Sequence, residues 1–122
     1  MLPNQALVID DNHMIRETMK VVVSMLGYRP LEAENGAKGL EVFKENESSI
    51  AFLVLDIEMP VMDGVTTLKE LVQINPDVKV VMVTGNSEIE LWNKVKAIKD
   101  VVILKKPFSI QQFSETVKDI LN

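Results

Sequence analysis

Five short strand-like runs alternate with longer stretches in which apolar residues return every three or four positions. The runs are Ala6 to Ile9, Arg29 to Ala33, Phe52 to Leu55, Lys79 to Val83 and Val101 to Leu104. Apolar runs of this length, bounded by helical segments, read as strands of a parallel sheet covered on both faces. In the first helical stretch Ile15, Met19, Val22 and Leu26 share one stripe, and Gly27 follows where a left-handed C-terminal cap is wanted. A second helix opens near Asn35 with Leu40 and Phe43 inward, and a third carries Val65, Leu68 and Val72 and stops before Pro76. A fourth, roughly Glu88 to Ile98, has Trp92 and Val95 on one side, with Lys94, Lys96 and Lys99 scattered around it. The last has Ser109 and Gln112 at capping-box spacing, then Ile110, Phe113, Val117 and Leu121 on its inner face. Five βα units and the right-handed crossover rule predict an α/β fold, a doubly wound three-layer sandwich. Periodicity does not give the strand order.

Charge at the strand ends adds chemistry to this outline. Ala6 to Ile9 runs into Asp10 and Asp11, Phe52 to Leu55 into Asp56, and Val101 to Leu104 into Lys105 and Lys106. In open α/β sheets ligands bind in the crevice beyond the strand C-termini. A flavodoxin-like order, 2-1-3-4-5, would bring Asp10, Asp11, Asp56 and Lys106 to one such crevice.

Composition narrows the choices. With 122 residues the chain is expected to be one domain, 1–122, with no output domain attached. It has no cysteine and one histidine, which excludes disulfides and thiolate metal sites and makes a zinc site improbable. A net charge of −5 argues against a nucleic-acid surface, because phosphate backbones are bound by neutralising them. No uncharged stretch is long enough to span a bilayer, and no leader precedes the first strand, so a cytoplasmic protein is expected.

Three crowded carboxylates repel one another and resist ionising, and a divalent cation removes that penalty. Hard oxygen ligands with open water positions suit magnesium, or manganese. Magnesium in turn invites a phosphoryl group, whose charge Lys106 would help neutralise from the opposite side. A carboxylate in such a place can also be a nucleophile, yielding an aspartyl phosphate. Asp56 is the best candidate: it stands alone at its strand end and heads a loop shaped by Pro60 and Gly64. Thr84, followed by Gly85, would add a hydroxyl donor.

The acidic pair Asp10-Asp11, Asp56 followed by Met59-Pro60 and Asp63-Gly64, Thr84-Gly85, and Lys106-Pro107-Phe108 together resemble the receiver domain of two-component response regulators, over the whole chain. The resemblance implies that Asp56 accepts a phosphoryl group from the phosphohistidine of a sensor histidine kinase or phosphotransfer protein. It implies that Asp11 and Asp56 bind magnesium directly, Asp10 through water, and that the backbone carbonyl of Glu58 completes the protein ligands. Lys106 would contact the phosphoryl group, Thr84 would be the switch hydroxyl, and the bond into Pro107 would be cis. The signal would leave through a downstream output protein. Two departures stand out. The switch-aromatic position, three residues before Lys106, is Ile103, and a Gly-Ala pair usual before the last strand is replaced by Lys99-Asp100.

Blander readings exist for single residues. Asp10 and Asp11 alone would suit helix capping, Lys106 alone would be a solvated lysine, and His13 reads as a solvated helix-start residue. Phe113 reads as packing against the sheet, and Trp92 reads equally as packing or as a partner-binding anchor. For the whole set, one rival is a pseudo-receiver that docks partners without phosphorylation. Another is a phosphatase of the haloacid dehalogenase type, which wants a second Asp where this chain has Glu58.

Overall fold

Alternate residues of the central strands serve two different cores in the computed structural model, which describes residues 2–59 and 61–122. The strands are β1 (Gln5–Ile9), β2 (Arg29–Ala33), β3 (Ile50–Asp56), β4 (Val80–Thr84) and β5 (Val102–Lys105). The helices are α1 (His13–Met25), α2 (Gly36–Asn46), α3 (Gly64–Ile74), α4 (Ile89–Ile98) and α5 (Ile110–Leu121). All strand pairs are parallel and the order is β2-β1-β3-β4-β5. The doubly wound, flavodoxin-like three-layer sandwich expected above is therefore the fold.

Side chains of period two explain the layering. Leu7, Ile9, Leu53, Leu55 and Met82 point to one face and pack on Phe43 of α2, Leu68 and Leu71 of α3 and Val95 of α4. Ala6, Val8, Phe52, Val54, Val81 and Val83 point to the other and pack on Met19, Val22 and Val23 of α1 and Phe113 and Val117 of α5. A sheet buried on both sides leaves its polar ligand site to the strand ends. Strand β2 lies at an edge, where Pro30 costs no ladder bond.

Helix starts are set by side-chain caps at Asn12, Asn35, Asp63 and Ser109, each accepting a bond from the backbone N–H three residues on. Gly27 takes φ 95° just past α1, a conformation that a Cβ disfavours. Strand ends differ by a residue or two from the sequence reading, and a 3-10 turn at Glu47–Ser49 was not foreseen. One expectation is corrected outright: Ile110 is 48% exposed, not buried. It is the first residue of α5 and lines a shallow groove with Ile15 and Phe108, while Phe113 one turn on is fully buried. Leu121, also expected inward, is only half-buried. Among the described residues no helix is long and apolar enough to cross a membrane.

Candidate functional site

Strands β1 and β3 are direct neighbours, with Ile9 opposite Leu55, so the next residues, Asp10 and Asp56, emerge side by side. Asp11 follows in the turn to α1. One carboxylate oxygen from each of Asp10, Asp11 and Asp56 lies within 4.8 Å of the others. Asp10 and Asp56 are buried and Asp11 is exposed. Because Asn12 is the residue that caps α1, neither aspartate is spent on capping. Instead Asp10 Oδ1 accepts the Asn12 N–H at 2.9 Å, which orients it within the turn.

Opposite the carboxylates stands Lys106. Its Nζ is 3.5 Å from Asp10 Oδ2 and 3.7 Å from Asp56 Oδ1, whereas Lys105, pointing the other way, is exposed. The Lys106 N–H donates to the Thr84 carbonyl at 2.7 Å, tying the tips of β4 and β5 together. The Lys106–Pro107 bond is cis. Burial pushes the Asp56 carboxyl up from 3.8 to about 6; Lys106 pulls it back, Asp10 pushes it up again, and the Glu58 N–H and then Asp11 make smaller contributions of opposite sign.

This donor set fits a small, hard divalent cation. All three groups are carboxylates, two are withdrawn from water, and one ammonium lies beside Asp10 and Asp56. The Glu58 backbone runs past the cluster, its N–H 3.4 Å from Asp56 Oδ1. Gly64 keeps the loop close. Its N–H donates to the Ile57 carbonyl at 2.7 Å, and a Cβ there would collide with the backbone of Asp56 and Ile57. Pro60, expected to shape the same loop, lies outside the described residues.

Thr84 ends β4 fully buried. Its hydroxyl donates to Glu58 Oε1 at 3.1 Å and accepts the Asn86 N–H at 3.0 Å. The Asn86 carbonyl in turn accepts the Trp92 indole N–H at 2.8 Å, linking the tip of β4 to α4. Ile103 pairs with Met82 across the sheet and is half-buried on the face covered by α2, α3 and α4. Lys99, one of the two departures, donates from Nζ to the Pro76 carbonyl at 2.7 Å, so it fastens the end of α4 to the loop before β4. His13 is exposed at the start of α1 and stays out of the carboxylate cluster.

Thus Asp10, Asp11, Asp56 and Lys106 converge, with Thr84 and Glu58 joined to each other beside them. The sequence points Glu58 toward the metal, by its backbone carbonyl and by its place two residues beyond Asp56, and carries no sign of its side-chain bond to Thr84. The sequence reading also missed Arg16, whose guanidinium donates to the Asp10 carbonyl at 2.9 Å. Its helical position just after the acidic turn was the available signal. The Glu58–Thr84 bond, spanning 26 residues, had none.

The family model described as the response regulator receiver domain matches residues 6–118. The chain is 34% identical over 115 residues to the sensor kinase CckA of Brucella abortus (strain 2308), covering 94% of this chain and 12% of that protein. It is 31% identical over 124 residues to the chemotaxis protein CheY of Bacillus subtilis (strain 168), covering 99% of this chain and 100% of that one. A solved response regulator receiver domain protein from Clostridium thermocellum superposes with a TM-score of 0.86 at 31% identity, over 98% of this chain and 94% of that chain. The match therefore spans about an eighth of the sensor kinase and the full length of the chemotaxis protein.

Proposed function

The chain belongs to the response regulator receiver domain family, and from that premise we propose that Asp56 is the phosphoacceptor of a phosphorylation-driven switch. The family is one of signalling domains, not of classical enzymes. The observation that carries the proposal is the meeting of three carboxylates within 4.8 Å, with a lysine ammonium 3.7 Å from Asp56. The donor is a phosphohistidine on a sensor histidine kinase or phosphotransfer protein. An Asp56 carboxylate oxygen attacks phosphorus, the P–N bond breaks, and its electron pair returns to the imidazole, which then takes a proton from solvent. An Asp56 carboxyl near 6 is ionised at neutral pH, as a nucleophile must be.

Asp11 and Asp56 would hold magnesium directly, Asp10 through water, and Glu58 through its backbone carbonyl; manganese fits the same oxygens. The bound cation supplies positive charge to the phosphoryl oxygens and relieves repulsion among the aspartates. Lys106 neutralises a further phosphoryl oxygen from the far side of Asp56. Thr84 donates its hydroxyl to the phosphoryl group once it lets go of Glu58, and that exchange is the switch. The receiver domain acts in the cytoplasm and passes its signal to an output protein without touching nucleic acid. Of the rival readings, a docking module without phosphorylation leaves the crowding of buried Asp10 and Asp56 without a purpose.

Incubation with magnesium and a small acyl phosphate, followed by intact mass measurement, tests the proposal. A phosphate-sized gain is expected, requiring magnesium and absent in Asp56→Asn. No gain, or an equal gain in that variant, contradicts it.

A further inference from the structure

The turn that carries Asp10 and Asp11 faces a mechanical problem. Two of its carboxylates lie against a third, so electrostatic repulsion drives the turn away from β3. Its backbone needs restraint, yet a cation bound to the carboxylates themselves would occupy the oxygens that a metal requires. Arg16 meets both conditions. It lies in the opening turns of α1 with a side chain only 12% exposed. Its Nη1 donates to the Asp10 backbone carbonyl at 2.9 Å while its Nε donates to Glu32 Oε1 at 2.9 Å. Asp10 pairs with Lys106, and Arg16 makes no ion pair with any of the three aspartates. Glu32 lies on β2 and is shared with Lys20, and the Asp10 N–H donates to the Ala33 carbonyl at 3.2 Å on the same strand. The guanidinium therefore bridges the acidic turn to the edge strand.

We infer that Arg16 is a positioning residue: it holds the Asp10-Asp11 turn in the geometry that binds a divalent cation, through the Asp10 carbonyl and the Glu32 carboxylate. The inference rests on the reading of the carboxylate cluster as a magnesium site. Its chemistry is specific to arginine, because a planar fork reaches two acceptors in different directions whereas a lysine ammonium is a single point. Outer-sphere groups of this kind typically alter metal affinity roughly 10- to 100-fold.

Calorimetric titration of the whole protein with magnesium tests it, with thermal unfolding of the metal-free variants as the check on folding. Arg16→Lys is expected to raise the magnesium dissociation constant by roughly 10-fold or more. In acyl phosphate reactions it raises the half-saturating magnesium concentration while leaving the rate at saturating magnesium within about 3-fold of wild type. Glu32→Gln, which keeps the Asp10 bond and weakens the other anchor, gives a smaller change in the same direction. Lys20→Met, which leaves both Arg16 bonds in place, binds magnesium as wild type does. Wild-type affinity in both Arg16→Lys and Glu32→Gln overturns the inference, as does an equal loss in Lys20→Met. Failure of the wild-type protein itself to bind magnesium would instead remove the reading of the cluster on which the inference stands.

Discussion

The tips of β1 and β3 and the tips of β4 and β5 are made from the same kind of buried strand but are finished differently. The first pair concentrates negative charge: Asp10, Asp11 and Asp56 crowd together, and burial lifts the Asp56 carboxyl to about 6. The second pair supplies what answers it, a hydroxyl at Thr84 and an ammonium at Lys106, tied by a backbone bond between those two residues. Both halves carry residues of the receiver resemblance, Thr84 and Lys106 included, and the two departures from it lie beside the second pair. Ile103 sits among aliphatic side chains where an aromatic ring is usual, and Lys99 is bonded to Pro76 where a small pair is usual. On the proposed function, both departures fall on the route of readout and leave the residues of the phosphorylation chemistry in place.

The largest effect expected from breaking this division is at Lys106. Lys106→Met removes the ammonium that faces Asp10 and Asp56. The initial rate of acyl phosphate labelling should fall roughly 100-fold or more, in line with the loss of one preorganised electrostatic donor. Lys105→Met should label as wild type does. Similar rates in the two variants would erase the distinction between the lysines.

Next in size is a gain in stability. A carboxyl held at about 6 when folded and near 3.8 when unfolded binds its proton more tightly in the folded state. Stability is thus greatest below 3.8, falls as pH rises through the window to about 6, and the cost of burying the ionised group is complete above it. The displacement caps that cost near ~3 kcal/mol, and partial contact with solvent brings the expectation to about 1–2 kcal/mol. Asp56→Asn should exceed wild type by that amount in urea unfolding at pH 7.5 without metal, and the gap should close by pH 4. Saturating magnesium, which stabilises only a protein that binds it, should narrow or invert the gap at pH 7.5.

The way these tips became legible differs as much as their chemistry. Strand identity and layering were open to reading because period two and period 3.6 are local: Leu7 and Ile9 alternate with Ala6 and Val8 whatever lies elsewhere. Asp10, Asp11, Asp56, Thr84 and Lys106 could be nominated because each falls within two residues of the end of such a run. Periodicity failed where burial depends on what lies beyond the element. Ile110 continues the stripe of α5 but opens the helix and stays exposed. Side-chain partners were harder still. The bonds of Glu58 to Thr84 and Lys99 to Pro76 depend on how loops and helix ends approach, which no spacing encodes, whereas that of Arg16 to Asp10 is local and had a positional signal.

The smallest effect concerns the route of readout. With Ile103 in place of an aromatic ring, the chain of bonds from Glu58 through Thr84 and Asn86 to Trp92 is a path from the site to α4. If Thr84 serves as the proposed switch, its turning to a phosphoryl group is expected to shift Asn86 and change the indole bond with it. Trp92 emission should respond to magnesium with a beryllium fluoride phosphoryl analogue in wild type and stay silent in Thr84→Ala. A response that survives in that variant would place the coupling elsewhere.

The central claim is that the Asp56 carboxylate at the end of β3 forms the covalent bond. Borohydride reduction of the acyl-phosphate-treated protein, followed by peptide mass mapping, reads that bond directly, because only an aspartyl phosphate is reduced to the alcohol. The account predicts a single reduced position at Asp56, dependent on magnesium. Reduction at Asp10 or Asp11, or at no aspartate in a protein that has gained a phosphate, would contradict it.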